Sequence, residues 1–168
     1  MIVREAEPGV RPAPRPLPWV LASMRIRPVR NDEWVATLAL WDRCGIERAR
    51  SDTAKDIGRR LRVAPEHFLV AVTDERTIAA TVLAWRQRDS QAGRIGYLAV
   101  DRPHRRQGLG SVMVHLAEDA LHAAGCEDAT VELRAADLGA IAFWVQQGYV
   151  ERQPLRFSKA LPVREVPA

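Results

Sequence analysis

The residues best suited to chemistry form the run Arg105-Arg106-Gln107-Gly108-Leu109-Gly110, which joins a strand-like segment to a helix-like segment. The first N–H groups of a helix have no intrahelical acceptors, and the helix macrodipole favours an anion at that end. Gly108 and Gly110 allow a ligand to approach the backbone closely. The junction therefore predicts an anion-binding site, and a tight strand-to-helix turn is the purely structural alternative.

Two common phosphate motifs do not fit this run. The chain has no Gly-x-x-x-x-Gly-Lys sequence, and the pair Gly108-x-Gly110 lacks the third glycine of the dinucleotide fingerprint. ATP and NAD are therefore not expected as ligands.

Two blocks of the chain resemble one known family. The segment Leu98 to Ser111 resembles the acetyl-CoA signature of the GNAT superfamily of N-acetyltransferases, whose core Arg/Gln-x-x-Gly-x-Gly/Ala reads Arg105-x-x-Gly108-x-Gly110 here. Downstream, Ala140-Ile-Ala-Phe-Trp-Val-Gln-Gln-Gly-Tyr149 resembles the family's Ala-x-x-Phe-Tyr-x-x-x-Gly-Phe block. The resemblance runs from about Met24 to Leu161, is strongest over Ile95 to Val150, and is closest to small stand-alone bacterial members.

The resemblance implies an α/β (α+β) fold: a mixed, mostly antiparallel central sheet flanked by helices, with a V-shaped cleft between two splayed strands. It implies acetyl-CoA as co-substrate and no metal. The backbone groups of Leu98, Ala99 and Val100 would meet the pantetheine arm. The residues that would surround the diphosphate are Arg105, Arg106, Gln107, Gly108, Leu109, Gly110 and Ser111. Asp137 and Trp144 would lie near the pantetheine.

The resemblance also implies the reaction. The chain would be an acyltransferase, moving the acetyl group from acetyl-CoA to a primary amine of a small metabolite or a protein by direct attack in a ternary complex. Many relatives have a tyrosine at the position of Trp144 to protonate the leaving sulfur, and an indole N–H is not an acid at useful pH. The alternative is therefore a non-catalytic acetyl-CoA-binding sensor or regulatory module.

Three side chains are candidate catalytic residues. Tyr97 and Tyr149 are the only tyrosines, so either could supply the missing hydroxyl, and core packing is the alternative for both. Glu132 is a candidate base because its strand is expected to border the cleft, and Asp101 is a second candidate at the loop entrance. Glu132 shares a strand face with Arg134, so an exposed ion pair is its alternative.

The elements that position these residues alternate between strand and helix patterns after Met24. Apolar alternation and turn signals predict strands at 24–28, 68–73, 77–85, 94–100 and 129–134, with closing strands near Tyr149 and Phe157. Helical spacing predicts helices at 32–43, 51–63, 109–124 and 140–147, the last capped by Asp137. The third helix carries a continuous apolar stripe from Leu109 to Ala124.

The chain of 168 residues, 47% hydrophobic and 27% charged, fits one globular domain and excludes disorder, collagen and disulfide scaffolds. Residues 1–23 hold five of the eleven prolines, so a flexible, polyproline-like extension outside the fold is expected there. Residues 24–168 are expected to form the acetyltransferase domain.

Net charge, hydropathy and the cysteines limit which partners and which compartment the sequence predicts. A net charge of +4 without a basic stripe and stacking aromatics gives no reason to expect nucleic acid. The uncharged stretch Pro16 to Met24 is too short and proline-rich for a membrane span or signal. The distant pair Cys44 and Cys126 favours a reducing compartment, so the cytoplasm is expected. A monomer and a homodimer remain open.

One further cluster has the spacing of a metal face. His115, Glu118 and His122 lie at i, i+3 and i+7, on the side of the predicted helix opposite its apolar stripe. A solvated helix face is the preferred interpretation, so no metal is expected.

Overall fold

The computed structural model describes residues 2–6, 22–46, 64, 67–87, 91–133 and 137–152. Its strands are β1 (Ile2–Ala6), β2 (Met24–Pro28), β3 (Phe68–Thr73), β4 (Ile78–Arg86), β5 (Ala92–Val100), β6 (Asp128–Leu133) and β7 (Tyr149–Arg152). Its α-helices are α1 (Trp34–Cys44), α2 (Leu109–Ala123) and α3 (Leu138–Gln146), and single 3-10 turns cover Asn31–Glu33 and Arg102–His104. None of the helices in these ranges is long and apolar enough to span a membrane.

The described strands form one sheet in the order β2-β3-β4-β5-β6-β1-β7. Strands β5 and β6 pair in parallel, and every other neighbouring pair is antiparallel. The predicted mixed, mostly antiparallel sheet flanked by helices is therefore confirmed. The parallel pair needs a crossover, which α2 supplies between β5 and β6.

Helices cover the sheet on both faces, so its interior strand β4 is buried from Ile78 to Ala84. Leu40 and Trp41 of α1 pack with Phe68 of β3 on one face. The apolar stripe of α2 packs on the other face together with Trp144 of α3. The buried residues of α2 are Leu109, Met113, Val114, Ala117 and Leu121, which confirms the predicted helix.

The N-terminal segment differs from its prediction. Residues 2–6 were expected to lie in an extension outside the fold, but they form β1, which pairs with β6 from Ile2↔Leu133 and with β7 up to Ala6↔Tyr149. The prediction is wrong for these five residues. A strand edge presents unpaired backbone N–H and C=O groups with which another strand can pair. The two edges that β1 pairs with, those of β6 and β7, come from the far end of the chain. Residues 7–21, the predicted helix 51–63 and the predicted strand near Phe157 lie outside the described residues.

Gly93 sets the distance between β5 and its neighbours. A Cβ atom built there would lie 2.7 Å from Leu121 Cδ1 and 3.0 Å from the carbonyl oxygen of Asp128. The second contact is with backbone, so a methyl group cannot be accommodated by a side-chain movement alone.

We therefore expect Gly93→Ala to lower the free energy of unfolding by about 1–3 kcal/mol through overpacking. The matched control is Gly139→Ala, whose Cβ would meet Asp137 Oδ1 at an ordinary 3.6 Å; an alanine at this helical position should be neutral or stabilising by up to about 1 kcal/mol. Urea unfolding of both variants measures the difference. Equal stability of Gly93→Ala and the unchanged protein would contradict the packing argument.

Candidate active site

The site begins where β5 and β6 separate. The two strands pair with each other from Ala92↔Asp128 to Ile95↔Val131. Beyond that point β5 continues to Val100 and β6 to Leu133 without pairing with each other. The separation opens a cleft of about 1380 Å³. The end of α1 and helix α3, which cover opposite faces of the sheet, both line it, so the cleft passes between the strands. The expected V-shaped opening is therefore present.

A β-bulge lies just beyond the separation. Strand β4 pairs Thr81 with Ala99 and Leu83 with Gly96, so Tyr97 and Leu98 of β5 face one residue of β4. Tyr97 has a φ of 52°, in the left-handed region that a bulky residue rarely occupies. Such strain persists only where the surroundings hold it, and it is common beside functional sites.

The run predicted to bind an anion lies at the mouth of the cleft. Gly108 is the N-cap of α2 with a φ of 82°, and no side chain of the described residues caps this helix. Arg106 also has a positive φ, 61°. The loop therefore turns sharply and leaves the first N–H groups of α2 available to an acceptor from outside the helix.

Arg105 does not extend over the helix terminus. Its Nε donates a 2.7 Å hydrogen bond to the carbonyl oxygen of Val100, and its Nη2 lies 3.5 Å from the sulfur of Cys44. The side chain thus binds the last carbonyl of β5 and joins it to the end of α1. The Arg105 guanidinium is therefore engaged within the protein itself.

Asp101, the candidate base at the loop entrance, has a structural role. Its carboxylate accepts hydrogen bonds from the Arg43 guanidinium and from the Arg102 backbone N–H, at 2.8 and 2.9 Å. The hydrogen bond from Arg43 is the main reason that the pKa of Asp101 lies below its ordinary value. Asp101 is therefore a weak base that ties α1 to the loop, and it does not line the cleft.

The other end of the cleft carries opposite charges. Glu132 forms an ion pair with Arg94, whose guanidinium carbon also lies 5.7 Å from the centre of the Trp85 ring. The side chains of Arg94 and Glu132 are 28% and 37% exposed, so solvent reaches both. Arg134, the partner that the sequence suggested for Glu132, lies outside the described residues.

Aromatic residues of α3 form one wall. Phe143 and Trp144 contact each other edge to face, and the buried Trp144 ring also lies edge to face on Tyr149 at 4.8 Å. The Tyr149 hydroxyl donates a 2.8 Å hydrogen bond to Glu118. The Asp137 carboxylate accepts from the Ala140 N–H, so Asp137 caps α3 as predicted.

The structure brings most of the predicted site residues together. Those that line the cleft are Tyr97, Leu98, Ala99, Val100, Arg105, Arg106, Gly108, Gly110, Ser111, Glu132, Asp137 and Trp144. Besides Asp101, three predicted residues do not line it. Leu109 is buried in the core, Gln107 donates to the Pro103 carbonyl oxygen beside a smaller cavity, and Tyr149 is turned toward α2.

Among the residues that line the cleft and that sequence reasoning missed are Arg94, Trp85 and Phe143. Arg94 reaches Glu132 and Trp85 only through strand pairing, which no local pattern encodes. Phe143 had a signal, since it lies in the second family block and faces Gly110, where a Cβ would lie 3.4 Å from its ring. Of the described residues, no three His, Cys, Asp or Glu side chains are grouped as a metal site, and Glu118 of the suspected metal face binds Tyr149 instead.

Comparison with known proteins shows which family the chain belongs to. The model of the acetyltransferase (GNAT) family matches residues 26–149. The chain belongs to this family. It is 32% identical over 103 residues to an acetyltransferase of Pectobacterium atrosepticum, a match that covers 61% of this chain and 71% of that protein.

Solved structures agree on the fold. A GCN5-related N-acetyltransferase from Sphaerobacter thermophilus matches with a TM-score of 0.68 and 20% identity, over 90% of this chain and 48% of that chain, so this chain spans about half of it. The NatC complex bound to Gag peptide and CoA contains a chain that matches with a TM-score of 0.64 and 16% identity, over 78% of this chain and 87% of that chain. The GNAT acetyltransferase is therefore an acyltransferase of a family that uses acetyl-CoA.

The residues present fit that co-substrate. The uncapped start of α2 offers backbone N–H groups to a diphosphate, and Gly110 presents no side chain to the cleft that it lines. Because a Cβ at Gly110 would make ordinary contacts of 3.4 Å with Phe143 and 3.7 Å with Val100, a methyl group fits there.

We expect Gly110→Asp to weaken acetyl-CoA binding more than about 100-fold, because its carboxylate repels the diphosphate and removes two or so charge-assisted hydrogen bonds of about 1.5–3 kcal/mol each. An acidic residue in the first turn of a helix favours folding, so the variant should remain folded. Gly110→Ala is the matched control and should bind within about threefold of the unchanged protein, since it adds bulk without charge. Calorimetric titration with acetyl-CoA measures all three. If Gly110→Asp binds normally, the diphosphate lies elsewhere.

Proposed function

We propose that this GNAT acetyltransferase moves the acetyl group of acetyl-CoA to a primary amine of a small metabolite or a protein, by direct attack in a ternary complex. The separation of β5 from β6 carries the proposal, because it makes one continuous cleft with an anion site at one end and a carboxylate at the other. A path through the sheet lets co-substrate and amine enter from different sides and meet beside β5.

The anion site supports the co-substrate half of this proposal. Three or four charge-assisted hydrogen bonds, each worth about 1.5–3 kcal/mol, supply much of the roughly 8 kcal/mol that a micromolar complex requires. The start of α2 holds the diphosphate, and the backbone of Leu98, Ala99 and Val100 holds the pantetheine, since none of the described strands pairs with β5 on its cleft side there. Asp137 stays engaged in capping α3 beside that path.

Glu132 supports the amine half. An α-amine of pKa about 8 is roughly one-tenth neutral at pH 7, whereas a lysine of pKa about 10.4 is neutral in only a few parts per ten thousand. A base is therefore more important for a lysine acceptor. Arg94 forms an ion pair with the Glu132 carboxylate at the cleft, and an approaching ammonium group competes with Arg94 for it.

We expect Glu132→Gln to lower kcat/KM about 10²-fold, as loss of a general base does. Glu127→Gln, a change of an exposed residue just before β6, should leave kcat/KM unchanged. Thiol release from acetyl-CoA at pH 7 measures both variants. A kcat/KM of Glu132→Gln within about threefold of the unchanged protein would contradict the role of Glu132 as a base.

Trp144 bears on how the thiol leaves. With a thiol pKa of about 8.5, expulsion as thiolate at pH 7 is uphill by roughly 1.5 pH units, or about 2 kcal/mol. A general acid removes that cost, and its absence slows transfer by about 10²-fold. Tyr149 binds Glu118 and the Tyr97 ring stacks on Trp41 at 4.4 Å, so of the two Tyr97 is the one at the cleft.

The pair Trp144→Phe and Trp144→Tyr tests this reasoning, since both variants leave the same space and differ by one hydroxyl. We expect Trp144→Phe to keep kcat within about threefold of the unchanged protein, because the indole supplies no proton. Trp144→Tyr should exceed Trp144→Phe by up to about 10²-fold. Stopped-flow measurement of thiol release compares them. A large loss in Trp144→Phe would mean that the indole N–H itself acts in the reaction.

The decisive experiment is a screen of amines for thiol release, with calorimetric binding of acetyl-CoA measured on the same sample. Amine-dependent release supports the transferase, and the acceptor that works separates small metabolites from protein amines. Binding without release for any amine would favour the non-catalytic acetyl-CoA sensor. We also propose a cytoplasmic location, supported by two free cysteines, and the same sample gives the choice between monomer and homodimer by light scattering.

A further inference from the structure

The carbonyl group of Tyr97 accepts a hydrogen bond from a side chain of β4. Thr81 Oγ1 donates a 2.8 Å hydrogen bond to this oxygen, and Trp41 Nε1 donates a 2.8 Å hydrogen bond to Thr81 Oγ1. The side chains of Trp41 and Thr81 are fully buried. These three groups form a chain from α1 through β4 to the bulge of β5.

The direction of each hydrogen bond in this chain is fixed by chemistry. An indole N–H can only donate, so Trp41 must use the Thr81 oxygen as its acceptor. A hydroxyl has one proton, so that proton is left for the Tyr97 carbonyl. The Trp41 ring also stacks on the Tyr97 ring at 4.4 Å, which restricts the same residue a second time.

Holding the Tyr97 carbonyl also sets the N–H of Leu98, because both belong to one planar, trans peptide group. In a trans peptide the two groups point in opposite directions. The carbonyl points to β4, so the Leu98 N–H points to the other side of β5, where β6 has already separated and the cleft lies. The Leu98 N–H is thus directed toward the cleft, which Leu98 lines together with the start of α2 and Glu132.

We propose that Trp41 and Thr81 are positioning residues that hold the Tyr97–Leu98 peptide so that its N–H faces the acyl oxygen of the bound thioester. This inference rests on the proposed function. A donor fixed in advance toward an oxygen that gains negative charge stabilises the transition state more than the ground state. Loss of the positioning should therefore lower kcat and leave binding of acetyl-CoA almost unchanged.

Thr81→Val is the test, since valine keeps the shape of threonine and removes both hydrogen bonds. We expect kcat for thiol release to fall about 10- to 100-fold, less than the full loss of an oxyanion donor, because the N–H is displaced rather than removed. The KM and the Kd for acetyl-CoA should change less than about threefold. Thr81→Ser, which restores the hydroxyl, should return kcat to within about threefold. Thiol release is measured both with water as the only acceptor and with the best amine found in the screen.

Thr130→Val is the matched control. Thr130 is also buried and also donates to a carbonyl of β5, that of Gly93 at 3.1 Å, but it lies in the paired part of the strand. It removes the same kind of hydrogen bond away from the bulge, so kcat should stay within about threefold of the unchanged protein. Thermal melts of all variants compare their stabilities.

A second variant keeps the inference testable if Thr81→Val does not fold. Trp41→Phe keeps a ring to stack on Tyr97 and removes only the donor to Thr81, which frees the hydroxyl to rotate. We expect kcat to fall about three- to tenfold with the Kd for acetyl-CoA unchanged. A kcat unchanged in this variant would overturn the role of Trp41.

The remaining outcomes distinguish failure of the positioning role from failure of the proposed function. A folded Thr81→Val variant with normal kcat overturns the positioning role while the proposed function stands. Equal losses of kcat in Thr81→Val and Thr130→Val, in step with their melting temperatures, also overturn it, because only stability is then affected. If the unchanged protein neither binds acetyl-CoA nor releases thiol, the proposed function fails and the inference fails with it.

Discussion

The separation of β5 from β6 after Ile95 and Val131 is the constraint on which the rest of the site depends. Strands in a sheet satisfy each other's N–H and C=O groups, and a strand edge without a neighbour leaves groups that cost free energy unless they find partners. Two side chains donate hydrogen bonds to this stretch of β5: the Thr81 hydroxyl donates to the Tyr97 carbonyl from the β4 side, and the Arg105 guanidinium donates to the Val100 carbonyl. In the proposed function, the side of β5 that has left β6 is the edge that binds the co-substrate.

The connections around β5 then decide where the chemistry lies. Only the segment 101–108 joins the end of β5 to α2, so the start of that helix must lie at the mouth of the cleft. Asp101 fixes this segment to α1 through Arg43, and the carboxylate keeps its charge because that hydrogen bond lowers its pKa. The start of α2 and the edge of β5 are thus parts of one arrangement, and the proposed function uses both for one co-substrate, the diphosphate at the helix and the thioester beside the strand.

The sequence was sufficient for features that depend on neighbours in the chain. The turn at Gly108, the apolar stripe of α2 and the cap at Asp137 are local, and each lies where it was predicted. The chain could not reveal features that depend on pairing between distant segments. Strand β1 meets β6 across more than a hundred residues, and the Trp41–Thr81 hydrogen bond spans 40. The bulge at Tyr97 is of the same kind, since it exists only in the register of β4 against β5.

The arginines illustrate the difference between composition and site. Three arginines in or beside the cleft make contacts within the protein itself. Arg105 binds the end of β5, Arg43 binds Asp101, and Arg94 binds Glu132. In the proposed site, the diphosphate is therefore bound mainly by the backbone at the start of α2, whose direction is set by a glycine turn. The proposed role of the Leu98 N–H is similar, because in both places a backbone group would contact the co-substrate while side chains hold the chain in position.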